Sequence, residues 1–308
     1  NRALAAEKDN LVSLANLARM DEQSGDLTAA EGRYLKILEQ KPENTLAMTS
    51  LARIASSKGD NESQIKWLEA ARQADEKEVV ARVALFELYI NEGDIVTAEK
   101  IIDELEAAEA SKVAVLAARG RLLLAKKSHN QAQAVIAELI REAPQQELGY
   151  YMQGINNIAL GDAEGAIASL KQAYSLNTGD MRSALLLAQL YAASGQHEQS
   201  LKLAQELIDK SPDFHDGYIM KGDALRAVNK GREALDAYDK AWSMHQSSEL
   251  VIRRFRVVRE LSGQDSALVI LTQWLDNNPK DVLVLTQLAE AYVYSDRDRA
   301  IEAYEKLL

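Results

Sequence analysis

Apolar residues along this chain recur three and four positions apart, as in Leu14-Ala15-Asn16-Leu17-Ala18 and Ala184-Leu185-Leu186-Leu187-Ala188-Gln189-Leu190-Tyr191. That spacing places them on one face of a helix, and no segment keeps the alternation of a half-buried strand. The helical stretches break at regular intervals. Gly25-Asp26, Gly59-Asp60 and Gly93-Asp94 recur 34 residues apart, and further steps of 34 reach Lys127, Gly161-Asp162, Gly195, Asn229 and Gly263. A fixed period of this length marks a repeat architecture rather than the two domains that 308 residues would otherwise suggest.

Other positions keep the same phase. Small residues stand seven positions before the marker at Ala18, Ala52, Gly120, Gly154, Ala188 and Gly222. They stand five positions after it at Ala30, Ala98, Ala132, Ala166, Ser200 and Ala234. Small side chains let two helix axes approach closely. Glycine closes the first helix in the left-handed conformation, and the following Asp accepts the free N–H groups that open the second. Pro42, Pro144 and Pro212 share one phase, with Pro279 one residue early, and each ends a second helix. The expected units are helix–turn–helix pairs at 11–44, 45–78, 79–112, 113–146, 147–180, 181–214, 215–248, 249–281 and 282–308. Residues 1–10 read as the tail of a preceding second helix. The last two units are one residue short in the turn: Gly263 to Ala267 is four residues, where Gly25 to Ala30 is five.

Repeat length, small-residue positions, Gly-Asp turn and proline phase together resemble the tetratricopeptide repeat (TPR). The resemblance implies an all-α fold, a right-handed α-α superhelix of about nine helix-turn-helix repeats. It would form a single solenoid over residues 1–308, truncated at both ends. Such arrays line a concave groove with the first helix of each unit. The family's groove positions fall here on Arg19, Arg53 and Arg121 early in the chain. Leu124, Tyr151, Ile155, Ile158 and Leu185 follow in the middle, then Gln189, Ile219, Asp223, Arg226, Arg253 and Val257. Apolar residues at positions expected to face solvent suit a partner's helix or extended segment, with flanking arginines steering acidic groups. The alternative is that Ile155 and Ile158 pack between neighbouring helices. Co-chaperone TPR domains place an Asn at the ninth position of a carboxylate clamp. That position reads Arg19, Arg53, Glu87, Arg121, Ile155, Gln189, Asp223, Val257 and Glu290 here, so no such clamp is expected.

Composition narrows the function. Hydrophobic residues at 47% and charged residues at 27% fit a folded protein. A formal net charge of −11 counts against a nucleic-acid partner, including the RNA bound by other helical repeats. The absence of cysteine excludes disulfides, zinc–thiolate sites and thiol nucleophiles within the chain. No apolar run approaches the roughly 20 residues of a membrane span. His129, His197, His215 and His245 are scattered and read as surface residues, with no His-Glu-x-x-His pair. Gly161-Asp162-Ala163-Glu164-Gly165 lacks the rest of a P-loop. Glu22, and Asp296 with Asp298, read as solvated charges. The expectation is therefore no enzyme, no cofactor, no metal and no small-molecule ligand, with proteins as partners. Arg253-Arg254-Phe255-Arg256-Val257-Val258-Arg259 spreads its arginines around a helix. They are expected to pair with Glu249, Glu260 or a neighbouring helix, the alternative being a patch for an anionic ligand. Arg256 stands where other units place Ala or Gly.

A finer resemblance is carried by Lys66-Trp67-Leu68-Glu69-Ala70-Ala71, Gly222-Asp223-Ala224-Leu225, and Gln273-Trp274-Leu275 with Pro279-Lys280-Asp281. These phrases are similar to those of the bacterial PEP-CTERM-system TPR-repeat lipoproteins. That likeness implies a scaffold for exopolysaccharide production and protein sorting at the periplasmic side of the outer membrane. A lipidated cysteine would then lie upstream of residue 1. The chain begins at Asn1 without a signal-type segment and is expected to be part of a longer protein. A cytosolic adaptor or assembly factor, and the recruiting arm of a larger enzyme such as a glycosyltransferase, are the other readings.

Overall fold

The computed structural model describes residues 2–293 and 295–307, with side chains from residue 10 onward. Among the described residues there are eighteen helices and no strand. The chain divides into two compact units, Asn1–Asp162 and Ala163–Leu308. The expected repeat 147–180 gives its first helix to one and its second to the other.

The first unit holds α1 (Arg2–Ser24), α2 (Leu27–Gln40), α3 (Thr45–Ser57), α4 (Asn61–Ala74), α5 (Val79–Glu92), α6 (Ile95–Ala107), α7 (Lys112–Ala125), α8 (His129–Glu142) and α9 (Glu147–Ala159). Helix α1 runs unbroken where the repeat phase sets a tail of a preceding helix against a new first helix. The segment Glu7-Lys8-Asp9-Asn10-Leu11 contains no glycine or proline that would stop a helix. Ala18, Ala30, Ala98 and Ala132 are fully buried and Ala52 nearly so, in the closely packed positions their size suits. Asp26, Asp60 and Asp94 cap α2, α4 and α6 by accepting from Ala29, Ser63 and Thr97 N–H at 2.9, 3.0 and 3.1 Å.

The turn geometry is imposed even where glycine is missing. Gly25, Gly59 and Gly93 have φ of +83°, +73° and +78°, and Lys127, one period on, is held at +56°. A side chain in the left-handed region costs roughly 1 kcal/mol, which glycine avoids at some cost in unfolded-chain entropy. Lys127→Gly is expected to stabilise the chain by about 0.5 kcal/mol and Gly93→Lys to destabilise it by about 1 kcal/mol. Opposite displacements of the urea midpoint would show this.

The second unit holds α10 (Ala163–Leu176), α11 (Met181–Ala193), α12 (His197–Lys210), α13 (His215–Ala227), α14 (Gly231–Trp242), α15 (Ser248–Ser262), α16 (Gln264–Asn277), α17 (Val282–Tyr292) and α18 (Arg297–Glu305). Pro212 and Pro279 lie in the turns after α12 and α16. Asn229 takes the left-handed turn at φ +61°, a conformation its short amide side chain tolerates. Gly263 alone separates α15 from α16, closing one and opening the other. In α15, Val251, Ile252 and Phe255 are buried in the phase of the other first helices, but Arg256 is exposed where those helices bury a residue and Val257 is fully buried instead. Val257, expected to face the groove, is therefore core, and Arg256 does not occupy a small-residue crossing.

Candidate functional site

In the second unit, α11, α13 and α15 present side chains to two adjoining pockets. One, of about 210 Å³, is lined by Leu185 and Gln189 from α11, Ile219 and Asp223 from α13, and Arg253 from α15. The other, of about 290 Å³, is lined by Asp223, Arg226, Tyr238, Glu249, Arg253 and Arg256. Asp223 and Arg253 belong to both. Five of the six later groove candidates, Gln189, Ile219, Asp223, Arg226 and Arg253, and Leu185 of the middle group are thus brought together by helices that recur at a fixed interval, while Val257 is buried away from both pockets.

Charge at the shared wall is fixed by hydrogen bonds. Tyr238 is fully buried and donates its hydroxyl to Asp223 Oδ1 at 2.6 Å. Burial, then the Asp223 charge beside it, pushes the Tyr238 phenol far above its ordinary value, so it remains a neutral donor. Arg253 Nε donates to both carboxylate oxygens of Asp223, at 3.1 and 3.3 Å. Arg226 donates from Nη2 to Glu260 at 2.6 Å, which holds its guanidinium above the usual range despite partial burial. The pockets therefore combine apolar walls with a neutralised ion network and the guanidinium of Arg256, which among the described residues donates to Gln287 at 3.5 Å. Such a surface recognises shape, hydrogen bonds and charge. Among the described residues no group of three or more His, Asp and Glu could hold a metal ion.

The early and middle candidates are placed differently. Arg121 pairs with Glu87 at 2.6 Å, and Leu124 packs on the core that contains Leu116 and Met152. Tyr151 and Ile155 are half-buried, and Ile158 is 39% exposed. Arg19 is exposed, while Arg53 is paired with Glu22. Glu22 is not a solvated charge: its side chain is 9% exposed and accepts from Tyr34 at 2.6 Å.

Of the alternatives for the arginine cluster, pairing with neighbouring helices is the one seen for Arg253 and Arg254, with Asp223 on α13 and Asp239 on α14, whereas Glu260 is taken by Arg226. The reading of the histidines needs correction. Of the histidines, only His245 is exposed. His129 meets the buried Asn156 amide at 3.1 Å, and the His215 and His245 rings, at the start and end of one helix pair, lie 4.9 Å apart. Sequence reasoning also missed Tyr238 as a wall of the site. The signal was present: an aromatic stands four residues after the small residue in Ala30–Tyr34 and again in Ala234–Tyr238, each donating to an acid on the preceding helix.

Comparison with known proteins agrees with this construction. Tetratricopeptide repeat family models match residues 16–78 and 157–222. The chain is 24% identical over 288 residues to cellulose synthase operon protein C of Pseudomonas fluorescens (strain SBW25), which covers 86% of this chain and 22% of that protein. It is 24% identical over 121 residues to lipopolysaccharide assembly protein B of Haemophilus influenzae, covering 37% of this chain and 29% of that one. The chain thus spans less than a third of the length of either relative. Among solved structures, the human IFIT1 dimer with m7Gppp-AAAA superposes with a TM-score of 0.61 at 20% identity, over 91% of this chain and 66% of that one. Helix pairs, left-handed turns and matched models converge on one identification: this chain is all-α among its described residues and carries tetratricopeptide repeats over residues 16–78 and 157–222.

Proposed function

We propose that the chain is a non-catalytic scaffold whose repeats form a groove that holds a partner protein's helix or extended segment. The observation that carries this reading is the convergence of Leu185, Gln189, Ile219, Asp223, Arg226 and Arg253 on two pockets sharing one ion-paired wall. Apolar depressions beside oriented charges suit a segment with hydrophobic anchors and polar flanks. Arginines already neutralised by Asp223, Asp239 and Glu260 leave little free cationic surface for a phosphate backbone, which supports a protein partner over a nucleic acid.

The setting is an envelope polysaccharide or protein-sorting assembly of the PEP-CTERM kind, with the protein lipid-anchored upstream and periplasmic at the outer membrane. The relatives involved with cellulose synthase and lipopolysaccharide assembly support that context. No helix of the described residues is long and apolar enough to cross a membrane.

In-cell cross-linking and capture of the full-length protein tests both parts. Gln189 is exposed at the pocket, so Gln189→Arg fills it without disturbing packing. Capture of envelope components is expected to drop roughly tenfold in this variant, with helicity unchanged. An unchanged envelope set would defeat the groove assignment. A purely cytosolic set, lost in the variant, would keep the groove and defeat the envelope setting.

A further inference from the structure

We propose that the second unit carries a carbohydrate-binding pocket, built on α14, α15 and α16, that seats a pyranose unit of a neutral glycan. It shares no residue with the two pockets above and does not depend on the protein-partner reading. The cavity is about 340 Å³, at the small end of ligand pockets, and its walls include Trp242, Trp274, Arg254, Gln246, Gln273 and Asn277.

The two indoles meet as a corner, with centroids 5.5 Å apart and planes inclined by 66°. Trp274 cannot swing away, because its Nε1 donates to Asp281 Oδ2 at 2.6 Å and Asp281 also accepts from Ser248 and caps α17. The Arg254 guanidinium lies 4.8 Å over Trp242 and is held there by Asp239 Oδ1 at 2.7 Å. It adds a flat edge of N–H donors to the aromatic wall without adding net charge. At the rim, the Gln246, Gln273 and Asn277 side chains are exposed and make no hydrogen bond within the described residues.

These features select the ligand class. An amide side chain offers a carbonyl acceptor and two N–H donors, which matches hydroxyl groups that both give and take hydrogen bonds. The C–H face of a pyranose is apolar and packs on an indole. A chair-shaped ring has the thickness to touch both walls of a corner, whereas a flat nucleobase stacks on one indole face and leaves the other wall unused. The one arginine is already neutralised by Asp239, so a phosphate finds no free cation. A proline-rich segment presents backbone carbonyls as acceptors and would leave the amide oxygens without donors.

Isothermal titration and indole fluorescence of the full chain test the proposal. The probes are cellopentaose and penta-N-acetylchitopentaose, with glucose and N-acetylglucosamine alongside. A pentasaccharide is expected to bind at millimolar concentration and to change the indole emission. Trp274→Ala removes binding. Because that variant also loses core contacts, the Gln273→Ala/Asn277→Ala pair, altered only at exposed side chains, is the deciding one, and it weakens binding roughly fivefold or more. Tighter binding of a pentasaccharide than of its monosaccharide identifies a chain segment as the ligand, and equal binding identifies a free sugar. Silence from all four saccharides, or binding unchanged in the double variant, overturns the proposal. So does a proline-rich peptide or a nucleotide that alone perturbs the indoles.

Discussion

Arg82→Ala is expected to destabilise the first unit by about 3 kcal/mol. The residue is only 6% exposed, unusual for an arginine, and its donors are spent on backbone carbonyls around the turn between α4 and α5. Nη1 donates to the Asp75 and Glu78 carbonyls at 3.2 and 2.6 Å, and Nη2 to the Arg72 carbonyl at 3.4 Å. Nε lies 3.3 Å from Glu104 Oε2, close enough for charge attraction though not aligned as a hydrogen bond. The guanidinium thus bonds the Arg72 and Asp75 carbonyls at the C-terminal end of α4 and the Glu78 carbonyl at the start of its own helix, and ties α5 to α6. Truncation removes these bonds together, empties a buried site and takes the opposite charge from Glu104. Arg82→Lys is expected to recover less than half, because one ammonium cannot span the carbonyls and Glu104 together. Hydrogen exchange would locate the loss in α4, α5 and α6, since each repeat depends on its neighbours. A loss below about 1 kcal/mol would mean that water replaces the arginine and that this cap is dispensable.

The fold was largely legible because its determinants are local and periodic. Gly25, Gly59 and Gly93 mark the turns, and Ala18 and Ala30 mark a crossing, each readable without knowing any distant contact. Lys127 shows the strength of the repeat: the chain adopts the left-handed turn there although the residue disfavours it. Legibility failed where one helix departs from the repeat: in α15 the position that other units fill with a small buried residue is Arg256, and Val257 is buried beside it instead.

The residues that line the two pockets share a phase the sequence displays, but the acid each arginine takes is not readable there. Repeat phase places Leu185, Gln189, Ile219, Asp223, Arg226 and Arg253 on corresponding turns of successive helices, which suffices to bring them together. Which acid an arginine takes depends on side-chain reach between helices. Arg253 selected Asp223, thirty positions back, and left Glu260 to Arg226. The corner of Trp242 and Trp274 was hidden for the same reason, since neither tryptophan signals the other in sequence. Phrases that resembled a lipoprotein family carried Trp274 only as a marker, while its fixed indole now supplies a wall of the proposed glycan pocket.

Gly222→Ala is expected to lower stability by about 2–3 kcal/mol, although helix propensity alone would favour alanine by about 1 kcal/mol. A Cβ at this position would stand 2.6 Å from Tyr238 Cδ1 and 2.9 Å from Cζ, nearer still to Cε1. The ring has nowhere to retreat: Tyr238 is fully buried and its hydroxyl is held by Asp223. Gly120→Ala is the matched control. Its nearest neighbour is the terminal methyl of Met152 at 2.6 Å, which can swing aside, and the next is Ile136 Cγ1 at 3.5 Å. That variant is expected to stay within about 0.5 kcal/mol of the parent, clash and propensity nearly cancelling. The two sites occupy the same phase of the repeat and differ only in the stiffness of what they face. Denaturation of both variants would separate these contributions. Because Tyr238 must tilt, Gly222→Ala should also release Asp223 and Arg253 and weaken partner capture, whereas Gly120→Ala should not. Equal stability of the two variants would show that the helices simply move apart, and that the tyrosine does not set the spacing on which the shared wall depends.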